Sequence, residues 1–138
     1  MRIMAIDYGD AHTGIAVSDP TGFLAGFTTV ITAYRPETVA QQVAALAKEH
    51  GAEELVLGHP LNMDGSRGPR AEKAEAMAEL LKEATGLPVV LWDERRTTID
   101  AHQILFNSGK NAKQRKKVVD AVAASLILEG YLTYKKNH

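Results

Sequence analysis

Four acids at three places in the chain could carry chemistry together. Asp7 ends the apolar run Ile3–Ile6, Asp93 and Glu94 follow "PVVLW", and Asp120 sits in "KKVVDAVAASLIL" beside small apolar residues. Carboxylates brought to one point from separate elements suit a hard cation such as Mg²⁺ or Mn²⁺, which prefers oxygen ligands. Two such ions about 4 Å apart activate a water and stabilise the leaving oxygen in phosphodiester cleavage. Asp7 is the natural bridging ligand, flanked by Asp120 and by an acid of the Asp93, Glu94 pair. Each acid also has a plain structural reading. Asp7 can form a turn with the nearby Gly9. Asp93 and Glu94 can complement the dipole of a following helix. Asp120 can pair on a helix surface with Lys116 or Lys117. Only the combination points to a metal.

Two further stretches bear on a phosphate-bearing ligand. The loop "GHPLNMDGSRG" is long for a connection in a compact domain, and such loops often bind something. Gly58, Gly65 and Gly68 permit close backbone approach, and Asn62, Ser66 and Arg67 can hydrogen-bond a phosphate. An ordinary turn is an equal reading, because Asp64 and Gly65 form a standard turn dipeptide. Between Asp100 and Asp120 there is no acid, while Lys110, Lys113, Arg115, Lys116 and Lys117 all fall there. With Arg95 and Arg96 they make a candidate footprint for a phosphate backbone. The plain alternative is a solvated helix start, but positive charge there opposes the helix dipole. No base-reading or stacking motif accompanies it, so contact would be with backbone and shape. The five histidines are scattered and form no His-Glu-x-x-His pair, which weakens a zinc-hydrolase reading. His59 reads as a loop residue and Trp92 as core.

The bulk composition sets limits. The chain has 138 residues, 45% hydrophobic and 24% charged, which fits one globular domain over 1–138. It has no cysteine, so disulfides, Cys-ligated zinc and thiol nucleophiles are excluded. A net charge of −1 gives no overall field to draw in nucleic acid. Asp7 and Asp10 interrupt any signal-peptide pattern, and no apolar stretch approaches the roughly 20 residues of a membrane helix. The expected location is cytoplasmic, with no membrane partner.

The elements that would position the acids follow from periodicity. Arg2–Ile6, Gly14–Ser18 and Phe23–Thr32 read as three antiparallel strands. A helix opens at Pro36 and closes at Gly51, with Val39, Val43, Leu46 and Ala47 at helical spacing. Glu54–Leu57 is a strand, Pro69–Thr85 a helix, and Pro88–Trp92 a strand. Thr97 or Thr98 caps a helix to about Phe106, and a last helix runs from about Gln114 to Tyr134. Helical crossovers make the first, fourth and fifth strands parallel neighbours. The fold class is therefore α/β: a mixed five-stranded sheet flanked by helices, in the ribonuclease H-like order. Ligand crevices form at the carboxyl ends of such strands, where Asp7 and Glu94 lie.

Together "DYGDAHTGIAVSD", "GHPLNMDGS", "DERRTT" and "KKVVDAVAASLILEGYL" resemble, in order, the four signature blocks of the RuvX (YqgF) family. Its members are bacterial ribonuclease H-like proteins, described as Holliday junction resolvases and as pre-16S rRNA nucleases. The resemblance covers essentially the whole chain. It implies an acidic, metal-binding catalytic site at Asp7, Glu94 and Asp120, with Glu94 preferred over Asp93. It also implies roles for Gly9, Gly14, Asn62, Asp64, Gly65, Arg95 and Thr98. In one departure, His12 and Ala11 stand where the family usually carries basic or polar residues, which removes a permanent positive charge from the hairpin.

The expected function is a Mg²⁺- or Mn²⁺-dependent nuclease that processes the 5′ end of pre-16S rRNA, with ribosomal particles among its partners. A resolvase of branched DNA shares the chemistry but needs a two-fold dimer, so monomer and homodimer both stay open. A non-catalytic RNA-binding module is the reading from another class. The first hairpin also resembles the phosphate hairpin of actin-like and sugar-kinase ATPases, but those need two domains closing on ATP.

Overall fold

A computed structural model gives the structure, described for residues 1–19, 25–93 and 112–137, with backbone alone at 25 and 112–120. The expected helix beginning at Thr97 or Thr98 lies outside the described residues.

The described elements are β1 (Ile3–Asp7), β2 (His12–Ser18), β3 (Ala25–Thr32), α1 (Pro36–His50), β4 (Glu54–His59), α2 (Pro69–Thr85), β5 (Val89–Asp93) and α3 (Ala112–Asn137). The strands form one sheet in the order β3-β2-β1-β4-β5. β1 is central, antiparallel to β2 and parallel to β4, and β4 is parallel to β5. The expected mixed sheet is therefore present. Two strands run further than periodicity indicated: β2 starts at His12, and β4 reaches His59, where β5 still pairs with it.

Both α1 and α2 open on proline and close on glycine. Gly51 and Gly86 adopt φ of 67° and 70°, and their N–H groups return to carbonyls of the last turn. That left-handed conformation is cheap only without a Cβ.

Alternation along the strands sorts side chains onto two faces. Met4, Ile6, Ile15, Val17, Leu55 and Leu57 pack with Val39, Val43, Met77 and Leu81 of α1 and α2. Ile3, Ala5, Ala16 and Val56 pack on the other face with Ala124, Ile127, Leu128 and Tyr131 of α3. The small Ala5 and Ala16 sit at the middle of this contact, and α3 sets Ala124 among its larger Ile127, Leu128, Tyr131 and Leu132. At its carboxyl end, the Tyr131 hydroxyl donates to Glu54 at 2.8 Å and Lys135 reaches the same carboxylate at 3.1 Å. Trp92 meets Tyr131 and Tyr134 edge-on, with ring centroids 5.8 Å apart in each pair.

Candidate active site at the carboxyl edge of the sheet

Asp7 ends the central strand and is half-buried. Its partner across the β1–β2 ladder is Gly14, and the parallel register, which aligns Ile6 with Leu57, brings the buried Gly58 to its other side. Neither glycine places a side chain of its own beside the carboxylate. Alternation after Ile3 and Ala5 gives Asp7 to the α3 face of the sheet.

The same parity separates the two candidate acids of β5. Val90 and Trp92 belong to the α3 face, so Asp93 belongs to the α1/α2 face. There it is aligned with His59 of β4. Asp7 and Asp93 therefore stand at the same edge but on opposite faces. Glu94, Arg95 and Thr98 lie outside the described residues.

Asp120 belongs to α3, and so do Lys113, Arg115, Lys116 and Lys117, all on the stretch described by backbone alone. The buried residues Ala124, Ile127, Leu128 and Tyr131 mark the stripe of α3 that faces the sheet. Position 120 falls on that stripe at helical spacing. Among the described residues, no three Asp, Glu, His or Cys side chains gather as a metal site.

The loop after β4 is knitted to itself. The Asn62 amide donates to the Ser66 hydroxyl at 2.9 Å, and that hydroxyl and the Ser66 N–H both donate to Asp64, at 2.6 and 2.8 Å. The chain also closes between the Asn62 N–H and the Ser66 carbonyl at 2.9 Å. Arg67 donates through Nε to Glu75 at 2.8 Å, and its Nη2 reaches the other carboxylate oxygen. The Glu75 carboxylate also lies 2.7 Å from His59 Nε2. Arg67 first and then His59 hold the Glu75 carboxyl below its ordinary range. Asn62, Ser66 and Arg67, taken from sequence as phosphate ligands, are thus engaged in shaping the loop and fixing it to α2. No spacing in the chain marks this cluster, because His59 and Glu75 lie on separate elements and meet only in the fold.

The β1–β2 turn is tight. A Cβ on Gly9 would run into the His12 carbonyl oxygen, so only glycine fits. Beside this turn lies a cavity of about 420 Å³, lined by Tyr8 to His12 of the hairpin and by Arg70 and Lys73 of α2. Lys73 pairs with Asp10 at 3.1 Å. Periodicity did not single out Arg70 and Lys73. Their signal was the Gly68-Pro69 helix start, which sets both in the first turns of α2.

The model of the family described as "RuvX: Holliday junction resolvase" matches residues 1–134. A protein of Halothermothrix orenii, provisionally named a pre-16S rRNA nuclease, is 44% identical over 135 residues, covering 98% of this chain and 96% of its own. Among solved structures, Thermus thermophilus RuvC in complex with a Holliday junction aligns with a TM-score of 0.64 at 14% identity, over 99% of this chain and 96% of that one. The large terminase nuclease of thermophilic phage G20c aligns at 0.58 and 13% identity, over 95% and 81%. At such identities these two structures speak for the fold, which is ribonuclease H-like. The family match over nearly the whole length and the 44% identical relative make this chain a member of the RuvX family.

Proposed function

We propose that the protein is a divalent-metal-dependent nuclease, a single domain over 1–138, that hydrolyses phosphodiester bonds at the 5′ end of pre-16S rRNA. The observation that carries this reading is the placement of Asp7. It stands at the carboxyl end of the central strand, between Gly14 and Gly58, on the face that α3 covers. The relatives named as pre-16S rRNA nucleases support the choice of RNA.

The remaining ligands of the proposal are Glu94 and Asp120. An extended residue after Asp93 returns to the α3 face, which favours Glu94 as the partner of Asp7. For Asp120 the lengths agree. From the Ile3 and Glu54 row to Asp7 is four residues of strand, about 13 Å. From Tyr131, which is bonded to Glu54, back to Asp120 is eleven residues of helix, about 16 Å. An α3 anchored at Glu54 and running back along β1 would bring position 120 to about the level of Asp7, which supports Asp120 as the third ligand.

Three carboxylates, one of them flanked by Gly14 and Gly58, which add no side chain beside it, would fit a hard ion such as Mg²⁺ or Mn²⁺. Such an ion, when bound, acidifies a coordinated water and offsets charge on the leaving oxygen. The chain's own part is to hold oxygen donors at fixed positions and to orient the strand. Asp7, on the most enclosed strand, sets the position of the site. Arg95, Thr98 and the basic start of α3 (Lys113, Arg115, Lys116 and Lys117) would hold flanking phosphates, with Asn62, Ser66 and Arg67 shaping the loop that borders them. Among the described residues no helix is long and apolar enough to cross a membrane, which is consistent with a cytoplasmic enzyme working on ribosomal particles.

The test is cleavage of a pre-16S 5′-end RNA and of a four-way DNA junction, with magnesium, manganese or chelator. Wild type should cut the RNA only with metal, and Asp7→Asn should not. Full cleavage by Asp7→Asn sinks the proposal. The family description favours one second reading, resolution of DNA junctions. It requires cleavage of the junction by a two-fold dimer, so a monomer in sedimentation counts against it.

A further inference from the structure

The cleft beside the β1–β2 turn lies next to Asp7 but opens on the other face of the sheet. Tyr8 packs against the α1/α2 core, and the cleft it lines holds about 420 Å³. Its donors outnumber their partners. Arg70 is exposed and makes no ion pair or side-chain hydrogen bond among the described residues, and the Tyr8 hydroxyl has no hydrogen-bond partner among them. Lys73 is held by Asp10, an exposed pair that solvent screens. Two cations and a hydroxyl in one concave space suit the two non-bridging oxygens of a phosphodiester, which can each accept from more than one donor.

We propose that this cleft binds a phosphate group of a polynucleotide backbone, held by Arg70 and Lys73 and hydrogen-bonded by the Tyr8 hydroxyl. This rests on the nuclease reading only for the source of the phosphate. A strand whose scissile phosphate lies at Asp7 must leave the site across the sheet edge. Tyr8, the next residue, belongs to the opposite face, so a phosphate further along the strand meets this cleft. Asp10 then acts as an internal competitor: it occupies Lys73 until a phosphate replaces it. Free nucleotides offer the same chemistry, and the experiment separates the two sources.

Binding of a fluorescent single-stranded RNA would be followed by anisotropy in chelator, where nothing is cut, across a salt series. ATP and inorganic phosphate would serve as competitors. The double variant Arg70→Ala, Lys73→Ala should weaken RNA binding about tenfold, the loss expected of one charge-assisted phosphate contact. It should also lower the slope of log affinity against log salt by about one. Asp10→Asn should move the other way, tightening binding by up to about fivefold as Lys73 is released. A purely structural role for the Asp10 to Lys73 pair would not produce that gain. Tyr8→Phe, which keeps the ring packed, should weaken binding without altering the salt slope, and it serves if the double variant fails to fold. Equal affinity of wild type and all variants overturns the proposal, as does a wild type that binds no RNA. Tight ATP binding through Arg70 and Lys73, with RNA unaffected, overturns the polynucleotide assignment. If these shifts occur but wild type cuts nothing with any metal, the cleft stands and the nuclease reading falls. If wild type cuts and the shifts are missing, only the cleft proposal falls.

Discussion

The two faces of the sheet are built from the same strands and differ in kind. Toward α1 and α2 the strands offer Met4, Ile6, Ile15, Leu55 and Leu57, which meet Met77 and Leu81 in a thick aliphatic layer. Toward α3 they offer the paired Ala5 and Ala16 between Ile3, Val56 and Trp92, and α3 answers with Ala124 beside Ile127, Leu128 and Tyr131 in a smaller cluster. Large side chains bury much apolar area per residue and supply most of the stability. Small ones let a helix lie close to the strands, at the price of burying less. The α3 face is also the one that receives Asp7. The larger of the two core clusters and the proposed chemistry thus lie on opposite sides of one sheet, and the alternation of each strand keeps them apart.

That division can be broken from either side. Leu81→Ala, a fully buried deletion under α2, should cost about 2–5 kcal/mol in urea unfolding, while the folded fraction cleaves at the wild-type rate. A lowered rate in the folded fraction would show that the faces are coupled. Ala124→Leu, fully buried under α3, should cost about 1–3 kcal/mol by overpacking. Because α3 also carries position 120, cleavage should fall with it, and a stable variant of unchanged rate would contradict the close approach. Tyr131→Phe removes the hydroxyl that anchors α3 to Glu54. With Lys135 still paired there, the cost should be about 1–2 kcal/mol in thermal or urea unfolding.

The smallest effect concerns the loop cluster on the α1/α2 face. Arg67 and His59 depress the Glu75 carboxyl, so its contribution to stability is present above the ordinary carboxylate range and lost as pH falls through the lower folded value. The wild-type melting temperature should therefore drop more steeply than that of Glu75→Gln between about pH 5 and pH 3. Parallel curves would mean that the cluster contributes nothing.

Much of this architecture was legible beforehand. The strand and helix order followed from periodicity, and Pro69 and Gly86 fixed α2 at both ends because proline and glycine act locally. What depended on contact was not legible. The choice between Asp93 and Glu94 turns on parity, and parity is set by register: only the alignment of Trp92 with Gly58 and of Asp93 with His59 assigns Asp93 to the α1/α2 face. Likewise nothing in the spacing of Asn62, Ser66 and Arg67 told that Ser66 would hold Asn62, or that Asp64 and Glu75 would engage Ser66 and Arg67. The pair of Lys73 with Asp10, 63 positions apart, leaves no periodic trace. His12, the departure from the family pattern, lines the cleft with Arg70 and Lys73, so positive charge reaches the hairpin from α2 instead.

The central claim is that the face of the sheet selects the catalytic acids. Its most direct test compares magnesium-dependent RNA cleavage by Asp93→Asn and Glu94→Gln, with Asp7→Asn as the reference. The account predicts that Glu94→Gln is as inactive as Asp7→Asn, while Asp93→Asn keeps cutting. An inactive Asp93→Asn beside an active Glu94→Gln would contradict it.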